Sequence, residues 1–572
     1  MNTVAPPTEL IGLLVRLREG LVQNPLPFEA ADAPVARAER SNLVKQLDDY
    51  IIPRLVQIEA PLLAVVGGST GAGKSTLVNS LIGTRVSATG VLRPTTRSPV
   101  LVHNPSDAHW FGADRLLPDL ERTDRATGDQ GALQLVATQR LPAGLAVLDA
   151  PDVDSVEERN RILAAQLLAA ADLWLFVTSA ARYADQVPWG FLKAAAERST
   201  AVAVVLDRTT PHAVREVSSH LARMLTSRGL GDSRLFTVPE SAVDEQGLLP
   251  AESVAPIRRW LDSLAADSAA RTAVIRKTLE GAIGSLGPRT RAVSSALQTQ
   301  EKLAGQLRAD VTKAYADNLA AVDEATQDGT MLRGEVLARW QEFVGTGELL
   351  RSLENRVGRL RDRIWNAARG RPQPAQELTV ALESGLETLI NEHAEAAAER
   401  AALAWRSLPA GSALLDDAPG DIGRASRDLR PQVERTVRDW QGGVLDLVRE
   451  EGSDRRATAR VLSYGVNGLG VALMIVIFAH SGGLIGAEVG VAGGTAVVGQ
   501  KLLEAVFGDQ AVRRLAEAAH KDLHARIERL WQHEQQRFLD VLDTHAVTPG
   551  AAYSLLELSR EVEAVRWLED AP

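Results

Sequence analysis

The chain contains no cysteine among its 572 residues. That absence excludes disulfides and cysteine-ligated zinc or iron–sulfur centres, and it fits a reducing compartment. Aromatic residues are few, at 4%, while an ordinary apolar share of 45% rests on aliphatic side chains, a balance that favours helix-rich packing. Basic charge is not in excess. The formal net charge of -10 argues against a general nucleic-acid binder, because phosphate contacts need a positive surface. The N-terminus lacks a basic start followed by an apolar core, and Glu9 and Glu19 fall within a helical pattern. No secretory signal is therefore expected, and the chain is expected to start in the cytoplasm. His103, His109, His212 and His220 are isolated, which suits solvent or core roles better than metal ligation. Outside Gly67-Gly68-Ser69-Thr70-Gly71, which belongs to a glycine-rich stretch, no G-x-S-x-G nucleophile elbow stands in a strand-to-helix context.

At this length one core is too few, and three or four domains are expected. The most informative stretch is Gly67 to Thr76, GGSTGAGKST. From Gly68 to Ser75 it follows the pattern G-x-x-x-x-G-K-[ST], directly after the apolar run Leu62 to Val66, the strand-then-loop context of a phosphate-binding loop. Gly68, Ser69, Thr70, Gly71, Ala72 and Gly73 would offer successive backbone N–H groups to a phosphate, and the helix opening at Ser75 and Thr76 adds its positive end. Lys74 would reach the β- and γ-phosphates, and Ser75 would ligate Mg2+.

Around this loop the chain changes character several times. Leu10, Leu13, Leu14, Leu17 and Leu21 form one helical stripe, and Leu43, Leu47, Ile51, Leu55 and Ile58 a second, kinked at Pro53. From about residue 60 to 264, short β-type runs alternate with helical stretches, at Leu62–Val66, Val100–His103, Leu133–Ala137, Leu145–Leu148, Leu173–Val177, Ala201–Leu206 and Leu235–Val238. That rhythm predicts a doubly wound α/β sheet with its ligand at the carboxyl ends of the strands. From about 265 to 460 long amphipathic helices take over, with stripes such as Leu303, Leu307, Val311, Tyr315, Leu319 and Val322 that read as bundle core. An arginine cluster from Arg351 to Arg369 reads as a solvated helix face ahead of the alternative, an anionic-lipid or partner patch, and the Pro/Gly/Asp-rich segment 408–422 as an interhelical loop. Residues 461–487 carry no formal charge and are followed, after Glu488, by another apolar stretch. About 30 Å of hydrocarbon can be crossed by such a length of helix, and basic residues on both flanks point to a hairpin returning to one face. A buried hairpin inside a soluble bundle is the alternative. Helices resume from Gln510, broken once at Pro549.

A phosphate loop alone does not choose among nucleotide enzymes, so its companions matter. The loop Gly90 to Val100 carries Thr95 and Thr96, candidates to coordinate Mg2+ and close over the γ-phosphate. The run Leu145 to Leu148 ends in Asp149, where a carboxylate can hold Mg2+ through water, within Asp149-Ala-Pro-Asp152-Val-Asp154.

Taken together, Gly68–Ser75, Thr96-Arg-Ser-Pro and Asp149-Ala-Pro-Asp152 resemble the motifs of the dynamin family of large GTPases, in particular the bacterial dynamin-like proteins. The resemblance implies a P-loop GTPase domain plus an elongated all-α helical bundle stalk with an apolar membrane-contacting hairpin. It divides the chain into N-terminal helices packing with the stalk (1–59), the GTPase domain (60–264), the stalk (265–460), the hairpin (461–508) and C-terminal helices returning to the bundle (509–572). It implies GTP as substrate and Mg2+ as cofactor, with Lys74 and Thr96 in catalysis and Ser75, Thr96 and Asp149 around the metal. It implies homodimerisation through the G domain, a possible second dynamin-like partner, anionic membrane lipids and a place on the cytoplasmic face of the cell membrane, remodelling bilayers, for instance at division or sporulation septa.

The chain also departs from the family pattern. Gly71 stands where eukaryotic members carry a serine that helps place a monovalent cation, and Asp152 replaces a glycine whose N–H senses the γ-phosphate. The base-reading motif [NT]-K-x-D is represented by Asp207-Arg208-Thr-Thr210, with no carboxylate for guanine, so Asp207 and Arg208 are the candidates beside the base and guanine preference is inherited from the resemblance. Two other readings compete. A soluble nucleotide-dependent scaffold would keep the hairpin internal. An ABC-type ATPase would need an L-S-G-G-Q signature and an acidic residue after Asp149, and the sequence has neither.

Overall fold

The computed structural model describes residues 8–88, 98–327, 373–451 and 509–569, apart from 113–114, 128, 130, 156, 198–200, 211 and 546. Thr95, Thr96, the arginines from 351 to 369 and the expected hairpin 461–508 lie outside the described residues. Among the described residues no helix is long and apolar enough to cross a membrane.

Two compact units emerge, one of residues up to Leu26, Ala31–Thr299 and from Thr548 onward, the other of Pro27–Ala30 and Gln300–Val547. The first is built on an eight-stranded sheet: β1 (Leu62–Gly68), β2 (Val100–His103), β3 (Glu121–Thr123), β4 (Ala132–Ala137), β5 (Leu145–Asp149), β6 (Leu173–Ser179), β7 (Ala201–Thr209) and β8 (Arg234–Pro239), in the order β3-β4-β2-β5-β1-β6-β7-β8. All neighbours are parallel except β2 and β5, which run antiparallel. The seven apolar runs of the sequence each become a strand. The eighth, β3, has only exposed or half-buried residues and is held by its register with β4.

Strict alternation along the central strands sends one set of side chains to each face. Leu63, Val65, Leu148, Trp174 and Val204 pack with helices α5 (Glu158–Ala169), α6 (Gln186–Glu197) and α7 (Val214–Ser227). Leu62, Ala64, Val66, Val147 and Val205 face α4 (Lys74–Ile82), α8 (Ala251–Ala266) and α9 (Ser268–Gly284). The central strands are covered on both faces, which is why they read as continuous apolar runs.

The leading helices α1 (Thr8–Gln23), α2 (Ala33–Gln46) and α3 (Ile52–Val56) bury the predicted leucine stripes against Leu279, Ile283 and Val293 and against Leu555 and Val562 of the helix Ala551–Glu569. Between α2 and α3 lies one π turn, Leu47–Ile51, where the Ile52 N–H reaches back to Leu47 O. Pro53 follows inside the first turn of α3, where its missing N–H costs nothing. The compact units thus divide the chain differently from boundaries at 59 and 508, since residues 8–26 and the helix Ala551–Glu569 fall in the same unit as the sheet.

The second unit is helical. It takes the later part of the helix Leu286–Gln327, then Gln373–Arg406, Pro409–Asp417, Leu429–Glu451 and Asp509–Asp543. Leu307, Val311, Tyr315 and Val322 are buried with Trp405, Trp440 and Phe538. The indole N–H groups of Trp405 and Trp440 donate to Leu307 O and Ala519 O, both at 2.9 Å. Within the segment read as a loop, Pro409 opens a short helix, in the first turn where proline is tolerated. On facing helices, Asp323 meets His520 at 2.8 Å and His524 at 3.1 Å, a pairing of two histidines four apart that the sequence reading did not single out. Among the described residues no group of three or more ligating side chains is arranged to hold a metal ion.

Candidate nucleotide site

Because β1, β5, β6 and β7 are parallel, their carboxyl ends meet at one edge of the sheet, and those of the residues singled out in sequence that are among the described ones sit there. β1 runs into the glycine-rich loop. Gly68 has φ +147°, and a Cβ on it would lie 1.9 Å from Val177 O of β6. Only glycine lets the loop leave the strand this close to its neighbour. Gly73, with φ +91°, precedes α4, and a Cβ there would lie 2.2 Å from Asp207 Oδ2. The loop is therefore seated against the end of β7, and α4 begins at Lys74 with its N-terminus toward the loop.

Lys74 is buried. Its ammonium donates to Gly68 O and Ser69 O, both at 3.1 Å, and to the carboxylate of Asp152. Next to it Ser75 Oγ donates to Asp149 Oδ2 at 2.6 Å, and Ser87 Oγ donates to the same oxygen at 2.5 Å. Asp149 is fully buried, and burial pushes its carboxyl above the ordinary range against the pull of Ser75, Ser87 and the Lys74 charge. Its other oxygen, Oδ1, is buried and has no hydrogen-bond partner among the described residues. An orphaned carboxylate oxygen beside a serine hydroxyl is a donor set suited to a hard divalent cation.

Four residues not singled out for a role in sequence complete the site. Asn79 in α4 clamps the loop after its own helix: Oδ1 accepts from Val86 N (2.8 Å) and Ser87 N (2.9 Å), while Nδ2 donates to Ser87 O (2.9 Å). That clamp delivers Ser87 to Asp149. Asp154 Oδ1 accepts both the N–H and the hydroxyl of Thr70, each at 2.6 Å. Arg182, beyond β6, pairs with Asp154 Oδ2 at 3.0 Å and donates to Thr70 O at 2.9 Å. No local pattern marks these residues: Asn79 acts on the loop after its own helix, while Ser87, Asp154 and Arg182 meet partners distant in sequence.

On the far side of β1, Asp207 is buried, and burial raises its carboxyl pKa, opposed by the N–H and the charge of Arg208. Asp207 Oδ1 accepts from Arg208 N at 2.8 Å. Arg208 sits at φ 50°, a left-handed conformation rare for a side chain of its size. Backbone strain of this kind is retained where the surroundings enforce it.

The site thus joins a phosphate loop, a buried strand-end carboxylate beside the loop's hydroxyl, and a β7 corner at the opposite end. Residues 63–208 match the sequence model described as the dynamin family. They form a dynamin-family GTPase domain. The match covers this domain from β1 to Arg208, with all the site residues named here. No curated protein matches the chain. Among solved structures the chain is similar to a member of an oligomerised bacterial dynamin pair, described as providing a mechanism for long-range sensing and tethering of membranes, at 12% identity and a TM-score of 0.29 over 73% of this chain and 80% of that one. It is also similar to LeoA, a bacterial dynamin GTPase from ETEC, at 12% identity and a TM-score of 0.23 over 98% and 94%. Superposition at that level is too loose to transfer residue roles, and the assignment rests on the family match of the GTPase domain.

Proposed function

We propose that the protein is a Mg2+-dependent, membrane-associated dynamin-like GTPase whose hydrolysis cycle works through contacts between G domains. The observation that carries this reading is the convergence of Lys74, Ser75 and Asp149 at the ends of β1 and β5. Lys74 would neutralise the β- and γ-phosphates, and the loop's N–H groups from Ser69 to Thr76 would orient them. Ser75, Asp149 and Thr96 would hold Mg2+, which when bound offsets the charge on the β- and γ-oxygens. Asp207 and Arg208 would flank the base, with Thr210 standing where the family's guanine-reading carboxylate is expected. The preference for GTP over ATP is taken from the family.

The segment 461–508 would contact anionic lipids on the cytoplasmic face of the cell membrane, and the helices would carry the movement of the G domain to it. Pairing of G domains, with a second copy or with a second dynamin-like protein, would stimulate turnover and support tethering, fission or fusion, for instance at septa.

The test compares hydrolysis of GTP and ATP by the wild type and Lys74→Ala over a range of protein concentrations, with and without anionic liposomes. GTP turnover should rise with concentration and with liposomes and vanish in Lys74→Ala. Full turnover in Lys74→Ala would refute the site, and a rate independent of concentration and lipid would refute assembly. Carbonate-resistant pelleting with membranes separates anchoring by 461–508 from a soluble scaffold, which would stay in the supernatant.

A further inference from the structure

A carboxylate is an odd group to find on the lysine of a phosphate loop, since it repels what the lysine is there to bind. Lys74 nevertheless donates to Asp152, with the lysine buried and the Asp152 side chain only 18% exposed. Two residues on, Asp154 takes the N–H and hydroxyl of Thr70 (2.6 Å each). One short segment after β5 therefore places two carboxylates on donors of the loop, in a setting where screening by water is weak.

Sheet order decides which end of a nucleotide they oppose. The relevant strands run β5-β1-β6-β7. Asp207 and Arg208, at the base end, come from β7 on one side of the loop; Asp149 and its neighbour Ser75 lie toward β5 on the other. A nucleotide laid along this edge with its base toward β7 carries its terminal phosphate toward β5, where Asp152 emerges.

We propose that Asp152 is a specificity-determining residue, an internal anion that competes with the terminal phosphate of a nucleoside triphosphate for Lys74. The inference rests on the reading of this loop as a nucleotide site. A diphosphate leaves the β5 side of the loop to Asp152. A triphosphate has to displace the carboxylate, so the pair weakens triphosphate binding relative to diphosphate, and its rupture shifts the segment from Asp149 to Asp154 only when the third phosphate is present. This makes the charge of Asp152, as well as the backbone N–H at that position, report on the γ-phosphate.

The experiment titrates full-length wild type, Asp152→Asn, Asp152→Gly, Asp185→Asn and Lys74→Ala with fluorescent GDP and with a non-hydrolysable GTP analogue, both with Mg2+. Asp152→Asn and Asp152→Gly should raise the ratio of triphosphate to diphosphate affinity about tenfold, the scale of a charge-assisted contact. Agreement between the two separates charge from backbone freedom. Asp185, which pairs with Arg182 at 2.9 Å, is the control for general negative charge, and Asp185→Asn should leave the ratio unchanged. An unchanged ratio in both Asp152 variants, or an equal rise in Asp185→Asn, overturns the inference. Loss of both nucleotides in Lys74→Ala keeps the site reading standing in either case; wild-type binding by Lys74→Ala overturns the reading itself.

Discussion

Arg54 and Asp172 form a fully buried ion pair, and replacing Arg54 by methionine should be among the most damaging single changes in the sheet unit. The guanidinium Nη2 donates to Asp172 Oδ2 at 2.6 Å and to Pro61 O at 3.1 Å, with both side chains 1% exposed. Asp172 also accepts from Leu63 N at 2.8 Å and from the Tyr50 hydroxyl at 3.1 Å. It therefore ties the π turn and α3 to the strand that feeds the phosphate loop. In Arg54→Met the carboxylate keeps two neutral donors and loses its only cation among these partners. Breaking one side of a buried pair costs about 3–5 kcal/mol, roughly a fifth or more of a typical domain's stability of about 5–15 kcal/mol. Burial already pushes the Asp172 carboxyl above the ordinary range, and loss of Arg54 pushes it further. Because its folded pKa lies above the unfolded one, the unfolded chain binds fewer protons than the folded chain between the two, and the variant should lose stability as pH rises through that window. Adding Asp172→Asn removes the orphaned charge, keeps one amide oxygen to accept from Leu63 N and offers an NH2 that can donate to the Tyr50 hydroxyl oxygen, so the double variant should recover much of the loss. Urea unfolding combined with hydrogen exchange of peptides from β1 and β6 reads this unit separately from the helical one. A cost below about 1 kcal/mol for Arg54→Met, or a double variant no more stable than the single, would refute the reasoning.

Three further outcomes follow from buried polar groups. Asp49, in the π turn, is 2% exposed, and burial raises its pKa from 3.8 to about 6 despite a hydrogen bond from Gln166. Stability should therefore fall as pH rises between those values and level off above them, and Asp49→Asn should gain up to about 3 kcal/mol at pH 7 and little at pH 3, measured by melting at both. The Tyr315 hydroxyl is buried with no hydrogen-bond partner among the described residues, so Tyr315→Phe should stabilise the helical unit by about 1 kcal/mol in denaturant unfolding. Asn79→Ala removes three hydrogen bonds that deliver Ser87 to Asp149; it should cost about 2–3 kcal/mol and slow nucleotide hydrolysis about tenfold, and unchanged kinetics would dismiss Asn79 as a positioning residue.

By itself the sequence determined what depends on neighbours in the chain. The seven apolar runs, the leucine stripes of the leading helices and the loop Gly68–Ser75 are local patterns, since period, glycine content and the strand-to-helix change are set within a dozen residues. Elements without such a pattern escaped it: β3 exists by pairing with β4, and Pro409–Asp417 is a helix inside a stretch whose composition reads as loop. Tertiary structure alone decided who meets whom. Asp152 closes on Lys74 across 78 positions and Arg54 finds Asp172 across 118. The meeting of Asp207 with Gly73 depends on β7 lying two strands from β1. Strand order is fixed by how helices and loops pack over the whole sheet, and a contact made across that order leaves no period, spacing or composition in the chain to read.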